Sequence, residues 1–153
     1  MSLAKNIPIL RINARHGTFT LWKPNRNADM EPTDNYPSRV LIVEDEPLIR
    51  MSVAGMIEDT GRETVEAANA DDAIRVLTHR SDIGCLFTDV EMPGSMNGYE
   101  LAHIVHERWP DIAIVITSGR TAPDADDIPA GGRFIGKPYG PRTVARTLSG
   151  FSA

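Results

Sequence analysis

Six side chains of kinds that handle oxyanions fall just after apolar runs. Glu44 and Asp45 follow Val40-Leu41-Ile42-Val43, and Asp89 closes the run that begins at Ile83. Thr117 and Ser118 follow Ile112-Ala113-Ile114-Val115-Ile116, and Lys137 follows Arg133-Phe134-Ile135-Gly136. Brought together, Glu44, Asp45 and Asp89 would repel one another, each close pair by about 4 kcal/mol at ~4 Å and an effective dielectric of ~20. Such a cluster calls for a cation. Magnesium suits it, being hard, octahedral, oxygen-seeking and readily shared between one or two carboxylates and a phosphate. Asp45 and Asp89 are then the expected direct ligands, with Glu44 acting through water and a backbone carbonyl near Glu91 completing the protein's share. With that ion in place Asp89 can attack a phosphoryl donor, because charge on the transferring oxygens is neutralised. Lys137 adds a second positive charge. The Thr117 hydroxyl can donate to a phosphoryl oxygen, and Ser118 is small enough to leave the entrance open.

The elements that must position these groups follow from the texture of the chain. Val40 to Val43 is an unbroken aliphatic run of the kind found in strands buried on both faces. Pro47 suits a first helical turn, Ile49, Val53, Met56 and Ile57 recur at helical spacing, and Gly61 stops that helix. Leu48, Met51 and Gly55 form a second stripe, readable as more core or as a docking face for a partner. Thr64 to Ala67 is a short strand, and Asn69 an N-cap with Asp71 and Asp72 in the first turn, where carboxylates suit the helix dipole. Ile83 to Thr88 is a third strand. Gly98 to Trp109 is a helix with Leu101, Ile104, Val105 and Arg108 near its buried side, ended by Pro110. Ile112 to Ile116 and Arg133 to Gly136 complete the strands, and Pro141 to Phe151 is a last helix with Val144 and Leu148 inward. Strands alternating with helices at this spacing imply βαβ units, hence an α/β fold with a doubly wound parallel sheet of five strands and helices on both faces. In such sheets ligands collect beyond the carboxyl ends of the strands, where all six side chains fall. Between Thr117 and Arg133 a helix is due, yet residues 121–132 carry two prolines, a Gly pair and almost no apolar periodicity. A short or irregular fourth helix is expected there.

Length and composition set the remaining bounds. The 153 residues accommodate one ordinary domain. A net charge of -5 and the absence of any Lys/Arg cluster argue against direct binding of nucleic acid. The single Cys85 lies in an apolar run and reads as a buried small hydrophobe in a reduced, cytoplasmic protein. No run approaches the ~18 apolar residues of a membrane span, so no membrane association is expected. Residues 1–37, with Pro8, Pro24, Pro32 and Pro37 and no sustained period, read as an extension without fixed structure, followed by one domain over 38–153. Met30, just before the first aliphatic run, is a candidate natural start.

Taken together, Val40-Leu41-Ile42-Val43-Glu44-Asp45-Glu46, Thr88-Asp89-Val90-Glu91-Met92-Pro93 with Gly98 following, Ile116-Thr117-Ser118 and Lys137-Pro138 resemble the response-regulator receiver domains of two-component signalling. The likeness covers about residues 38 to 151. It implies a flavodoxin-like strand order of 2-1-3-4-5, with Asp89 as phosphoacceptor. It also implies a sensor histidine kinase or histidine phosphotransfer protein as donor, and protein contacts as output. Phe134 takes the place of the family's aromatic switch, coupled to Thr117, and the Lys137-Pro138 bond is often cis in such proteins. Expected partners are thus the kinase or phosphotransfer protein, a downstream protein target and a second copy of the chain. The only catalysis expected is self-phosphorylation and self-dephosphorylation. Two departures are specific to this chain. The loop Gly94-Ser95-Met96-Asn97 is one residue longer than the commonest pattern, and Glu91 puts an acid where the family tunes loss of the phosphoryl group. With no output domain after Phe151, a stand-alone receiver is expected.

Other interpretations are weaker on the residues themselves. Any one of Glu44, Asp45 or Asp89 alone would be a cap or a solvated loop acid. Gly131 to Lys137 fits the start of a nucleotide-binding P-loop, but Pro138 replaces the Ser/Thr that should hold Mg²⁺, and Phe134-Ile135 reads as strand. His103 and His106 share a helix face without a further metal ligand. The alternative from a different class is a receiver fold that binds proteins without phosphorylation; the acidic pair, Asp89 and Lys137 argue against it.

Overall fold

The computed structural model describes residues 9–13, 18–22, 39–120 and 122–151, and the chain divides into two units, residues 1–33 and 34–153. In the first unit, β1 (Ile9–Asn13) and β2 (Thr18–Trp22) pair antiparallel, Ile9 opposite Trp22 and Asn13 opposite Thr18. Over these two stretches the expectation of an unstructured extension does not hold. Ile9, Ile12, Thr18, Phe19 and Thr20 are β-branched or aromatic, and that local preference outweighs the scattered prolines around them. The rest of residues 1–38, Met30 included, lies outside the described residues.

The second unit runs β3 (Arg39–Val43), α1 (Pro47–Glu58), β4 (Glu63–Ala67), α2 (Ala70–His79), β5 (Ile83–Asp89), α3 (Gly98–Arg108), β6 (Ala113–Ser118), a 3₁₀ turn (Ala125–Asp127), β7 (Arg133–Gly136) and α4 (Pro141–Ser149). Its five strands are all parallel in the order β4-β3-β5-β6-β7, which is 2-1-3-4-5 within the sheet. The period of two along each strand divides the core. Leu41, Val43, Leu86, Ile114 and Ile116 point to one face, where Leu77 of α2 and Leu101 and Val105 of α3 cover them. Val40, Ile42, Cys85, Phe87 and Val115 point to the other, under Val53 and Ile57 of α1 and Val144 and Leu148 of α4. Each fully buried Leu, Ile, Val or Phe contributes roughly 1.5–3 kcal/mol, so an apolar run covered on both faces makes β3, β5 and β6 the spine of the fold. Burial pushes the Cys85 thiol up to about 12, consistent with an inert packing residue.

Local signals start the helices. Pro47 occupies the first turn of α1, and Asn69 caps α2 by accepting from the Asp72 amide at 2.8 Å. Asn97 caps α3 in a reciprocal box, Glu100 N donating to Asn97 Oδ1 at 3.0 Å and Asn97 N to Glu100 Oε2 at 2.8 Å. One expectation for side-chain direction fails. Arg108 is exposed rather than inward, its guanidinium 4.6 Å from the centre of the Trp109 ring, where the cation keeps its hydration and gains the π face. Leu48 and Met51 stay in solvent, 76 % and 64 % exposed. Between β6 and β7 the described residues form only the three-residue 3₁₀ turn, as the prolines and glycines foretold. Among the described residues no helix is long and apolar enough to cross a membrane.

Candidate functional site

Parallel register converts sequence positions into one cluster. Val43 is level with Thr88, Asp89 with Thr117, and Ser118 with Gly136. The residue after β3 therefore meets the last residue of β5, and the residue after β7 meets both. Backbone bonds fix the corners: Glu44 N donates to Ala67 O at 3.2 Å, Val90 N to Thr117 O at 2.9 Å and Lys137 N to Ser118 O at 2.8 Å. Behind Asp89 stands Gly98, where a Cβ would lie 2.0 Å from the Asp89 carbonyl oxygen and 2.8 Å from Val90 Cα. Only glycine permits α3 to start so close to the acid. The Lys137-Pro138 peptide is cis.

One carboxylate oxygen each from Glu44, Asp45 and Asp89 lies within 4.8 Å of the others. Glu44 and Asp89 are buried, at 3 % and 4 % exposure, and Asp45 is half-buried. Lys137 Nζ stands 3.0 Å from Asp89 Oδ1 and 3.3 Å from Glu44 Oε2. Burial raises the pKa of Asp89; Lys137 works against the rise and the nearby charge of Glu91 adds to it. Burial likewise raises Glu44, opposed by the Glu46 amide and reinforced by Asp89. For Lys137 burial acts downward, but its contacts with Asp89 and Glu44 outweigh that and the pKa rises. One ammonium thus faces three carboxylates. Asp89 Oδ1 is buried and, although the ammonium is near, no donor is aligned on it as a hydrogen bond. An all-oxygen donor set with a surplus of negative charge and an oxygen still lacking a donor fits a small hard cation such as Mg²⁺.

All of Glu44, Asp45, Asp89, Thr117 and Lys137 meet at this end of the sheet. Phe134 lies one strand over on β7, half-buried against the core. Thr117 is buried, at 1 % exposure, with the Tyr139 hydroxyl close to it. The Tyr139 ring sits edge-on to Phe87, ring centres 6.0 Å apart. The Glu91 side chain turns to the β6 side, where it accepts from Ser118 Oγ at 2.7 Å. Ser118 is therefore engaged rather than merely small. Three contributors had no signal in the sequence. These are Tyr139, Arg120 and Arg50. Arg50 donates to the Glu44 carbonyl at 2.7 Å and pairs with Glu66 at 2.9 Å. Beside the acids a cleft of about 660 Å³ opens between the loop after β5 and the segment after β6, lined by Glu91, Met92, Tyr99, Ser118, Arg120 and Asp127 among others.

Residues 40–147 match the response regulator receiver domain model. The chain belongs to the receiver-domain family. Like its relatives it is thus a receiver of two-component response regulators. It is 37 % identical over 81 residues to the nitrogen assimilation regulatory protein NtrX of Azorhizobium caulinodans, covering 52 % of this chain and 18 % of that one. It is 33 % identical over 115 residues to the hydrogenase transcriptional regulatory protein HoxA of Cupriavidus necator, covering 71 % and 23 %. The receiver aligns with about a fifth of the length of these relatives. Among solved structures, a CheY-like response regulator receiver domain protein from Methanospirillum hungatei superposes with a TM-score of 0.67 at 25 % identity, covering 74 % of this chain and 91 % of that one.

Proposed function

We propose that Asp89 takes a phosphoryl group from a phosphohistidine on a sensor histidine kinase or histidine phosphotransfer protein, with Mg²⁺, and that the modified site changes contacts with a downstream protein. The observation that carries this is the buried Asp89 carboxylate held 3.0 Å from Lys137 with Glu44 and Asp45 beside it. In the transfer an Asp89 oxygen attacks phosphorus as the P–N bond to the histidine breaks, and the released imidazole nitrogen takes up a proton. Asp45, Asp89 and the Glu91 carbonyl would hold the magnesium ion, with Glu44 beside them through water; when bound, the ion neutralises charge on the phosphoryl oxygens. Lys137 supplies the positive charge on the other side and orients Asp89. Thr117, level with Asp89 in the sheet, donates its hydroxyl to a phosphoryl oxygen and in doing so leaves Tyr139. Phe134 on the neighbouring strand responds to that movement. Hydrolysis at phosphorus regenerates the carboxylate, and no catalysis beyond this self-modification is proposed. A reduced, cytoplasmic setting suits both the donor and the unreactive Cys85.

Acetyl phosphate with Mg²⁺ is the direct test. The intact chain should gain the mass of one phosphoryl group, and Asp89→Asn or chelation of the metal should abolish the gain. An unmodified wild type under conditions that modify a control receiver would refute the proposal.

A further inference from the structure

The loop leaving Asp89 and the segment leaving β6 are joined by one small cluster. Ser118 Oγ donates to Glu91 Oε1 at 2.7 Å, the Arg120 amide donates to Ser118 Oγ at 3.0 Å, and Arg120 Nε lies 3.5 Å from the same Glu91 oxygen. Ser118 is buried, at 2 % exposure, and its carbonyl is held by the Lys137 amide. Arg120 differs: its side chain is 82 % exposed, and among the described residues Glu91 is its one charged partner. The contact is poor for a guanidinium, since it engages one oxygen that already accepts from Ser118. The planar fork is made to take two oxygens of a carboxylate or phosphate side by side. An exposed pair of this kind is worth about 0.2–1 kcal/mol, so little holds Arg120 where it is.

We propose that Arg120 reads the phosphoryl group: when Asp89 is modified, the guanidinium leaves Glu91 for the phosphoryl oxygens and the Glu91–Ser118–Arg120 cluster opens. This rests on the phosphorylation of Asp89 and names the residue that reports it. The driving force is electrostatic. A phosphoryl group carries about -1.5 to -2 charge at neutral pH and takes the place of the carboxylate's single charge, a net gain of about -0.5 to -1, at an end of the sheet where, among the described residues, Lys137 alone already faces three carboxylates. The charge of Glu91 already disfavours that of Asp89, so added negative charge at Asp89 pushes Glu91 away and draws Arg120 in. Arg120 opens the stretch that carries only a single 3₁₀ turn before β7. Releasing its tie to the loop after β5 therefore changes the segment with the least regular structure in the sheet unit. Charge on Asp89 thereby becomes a change of surface beside the cleft.

Beryllofluoride with Mg²⁺, which mimics the phosphoryl group, tests this on the full chain. Its apparent affinity is read by fluorine NMR in the wild type, Arg120→Gln, Arg120→Lys, Glu91→Gln and the Glu91→Gln/Arg120→Gln pair. Arg120→Gln should weaken binding about three- to ten-fold, with Arg120→Lys in between because it keeps charge but loses the fork. Glu91→Gln should tighten binding, and by less in the Arg120→Gln background, since there no cation is freed. The wild-type Arg120 Nε–H resonance should shift on adding beryllofluoride and stay still in Asp89→Asn. Equal affinities for wild type and Arg120→Gln, or strictly additive effects of the two substitutions, overturn the role of Arg120 while leaving Asp89 as acceptor. A wild type that binds no beryllofluoride overturns both. Arg120 is exposed, so its variants should fold, and unliganded melting curves check this.

Discussion

The two ends of the parallel sheet both carry clusters of charge, and they are built to opposite rules. At the amino end Arg39 pairs with Glu63 at 2.6 Å and with Asp82, and Arg80 pairs with Asp82 at 2.8 Å. Among the described residues these pairs set two cations against two acids, partly in solvent. At the carboxyl end, among the described residues, Glu44, Asp45 and Asp89 meet Lys137 alone, and two of the acids are buried. A balanced, half-exposed network costs little to form and asks for nothing further. An unbalanced, buried one is a standing electrostatic debt that only an added ligand relieves. The same strands thus end in a structural clamp on one side and a reactive site on the other, and the sign of the leftover charge separates them.

The largest way to break the contrast is through the backbone that crowds Asp89. Gly98→Ala would place a methyl against the Asp89 carbonyl, with no flexible side chain to give way. A loss of about 3 kcal/mol of stability is expected, at the upper end for overpacking, together with loss of phosphoryl acceptance. Urea unfolding measures the first and the acetyl phosphate assay the second; wild-type stability in Gly98→Ala would mean that α3 can start elsewhere. Next in size is the response to metal. At ~100 times its dissociation constant, Mg²⁺ should stabilise the wild type by about 2.7 kcal/mol. Asp89→Asn should lose most of that gain. Arg39→Gln, which touches only the other end, should keep it. Melting curves with Mg²⁺ and with chelator decide, and equal gains in both variants would remove the distinction between the ends.

What the sequence made legible follows from how far each signal reaches. Val40 to Val43, Ile83 to Thr88 and Ile112 to Ile116 are continuous apolar runs, so their burial on both faces and the acids at their ends could be read locally. Parallel pairing then dictates that Glu44, Asp89, Thr117 and Lys137 converge, although the order of the strands came from family resemblance. The weak stretch after β6 was legible for the same local reason, its prolines and glycines. The Glu91–Ser118–Arg120 cluster was not, because it depends on side-chain directions across two loops 27 residues apart. Arg108 failed because helical spacing places a residue near a face without saying that a long cation will bend toward solvent and a neighbouring ring. The hairpin of β1 and β2 was passed over because its strands lie among the scattered prolines of residues 1–37, which read as an extension.

The smallest effect gives the sharpest contrast, because it differs in sign between the ends. Without metal, Asp89→Asn should stabilise the chain by about 1 kcal/mol near neutral pH, since a buried acid in surplus is replaced by a neutral isostere. Arg39→Gln should destabilise it by about 1 kcal/mol, discounted because Arg39 is 33 % exposed on a partly solvated network. The pH dependence fixes the cause. Asp89 and Glu44 have folded-state pKa values above their ordinary 3.8 and 4.5, so the folded state binds more protons and stability from these groups falls as pH rises. The advantage of the protonated site is complete below the ordinary values and is gone once pH has passed the raised ones. The excess stability of Asp89→Asn over wild type should therefore be full near neutral pH and shrink as pH falls through that window. Urea midpoints for the three proteins between neutral pH and about pH 4 provide the measurement. An excess for Asp89→Asn that grows on acidification would show that the carboxylate stabilises the unliganded fold, and the two ends of the sheet would then follow one rule.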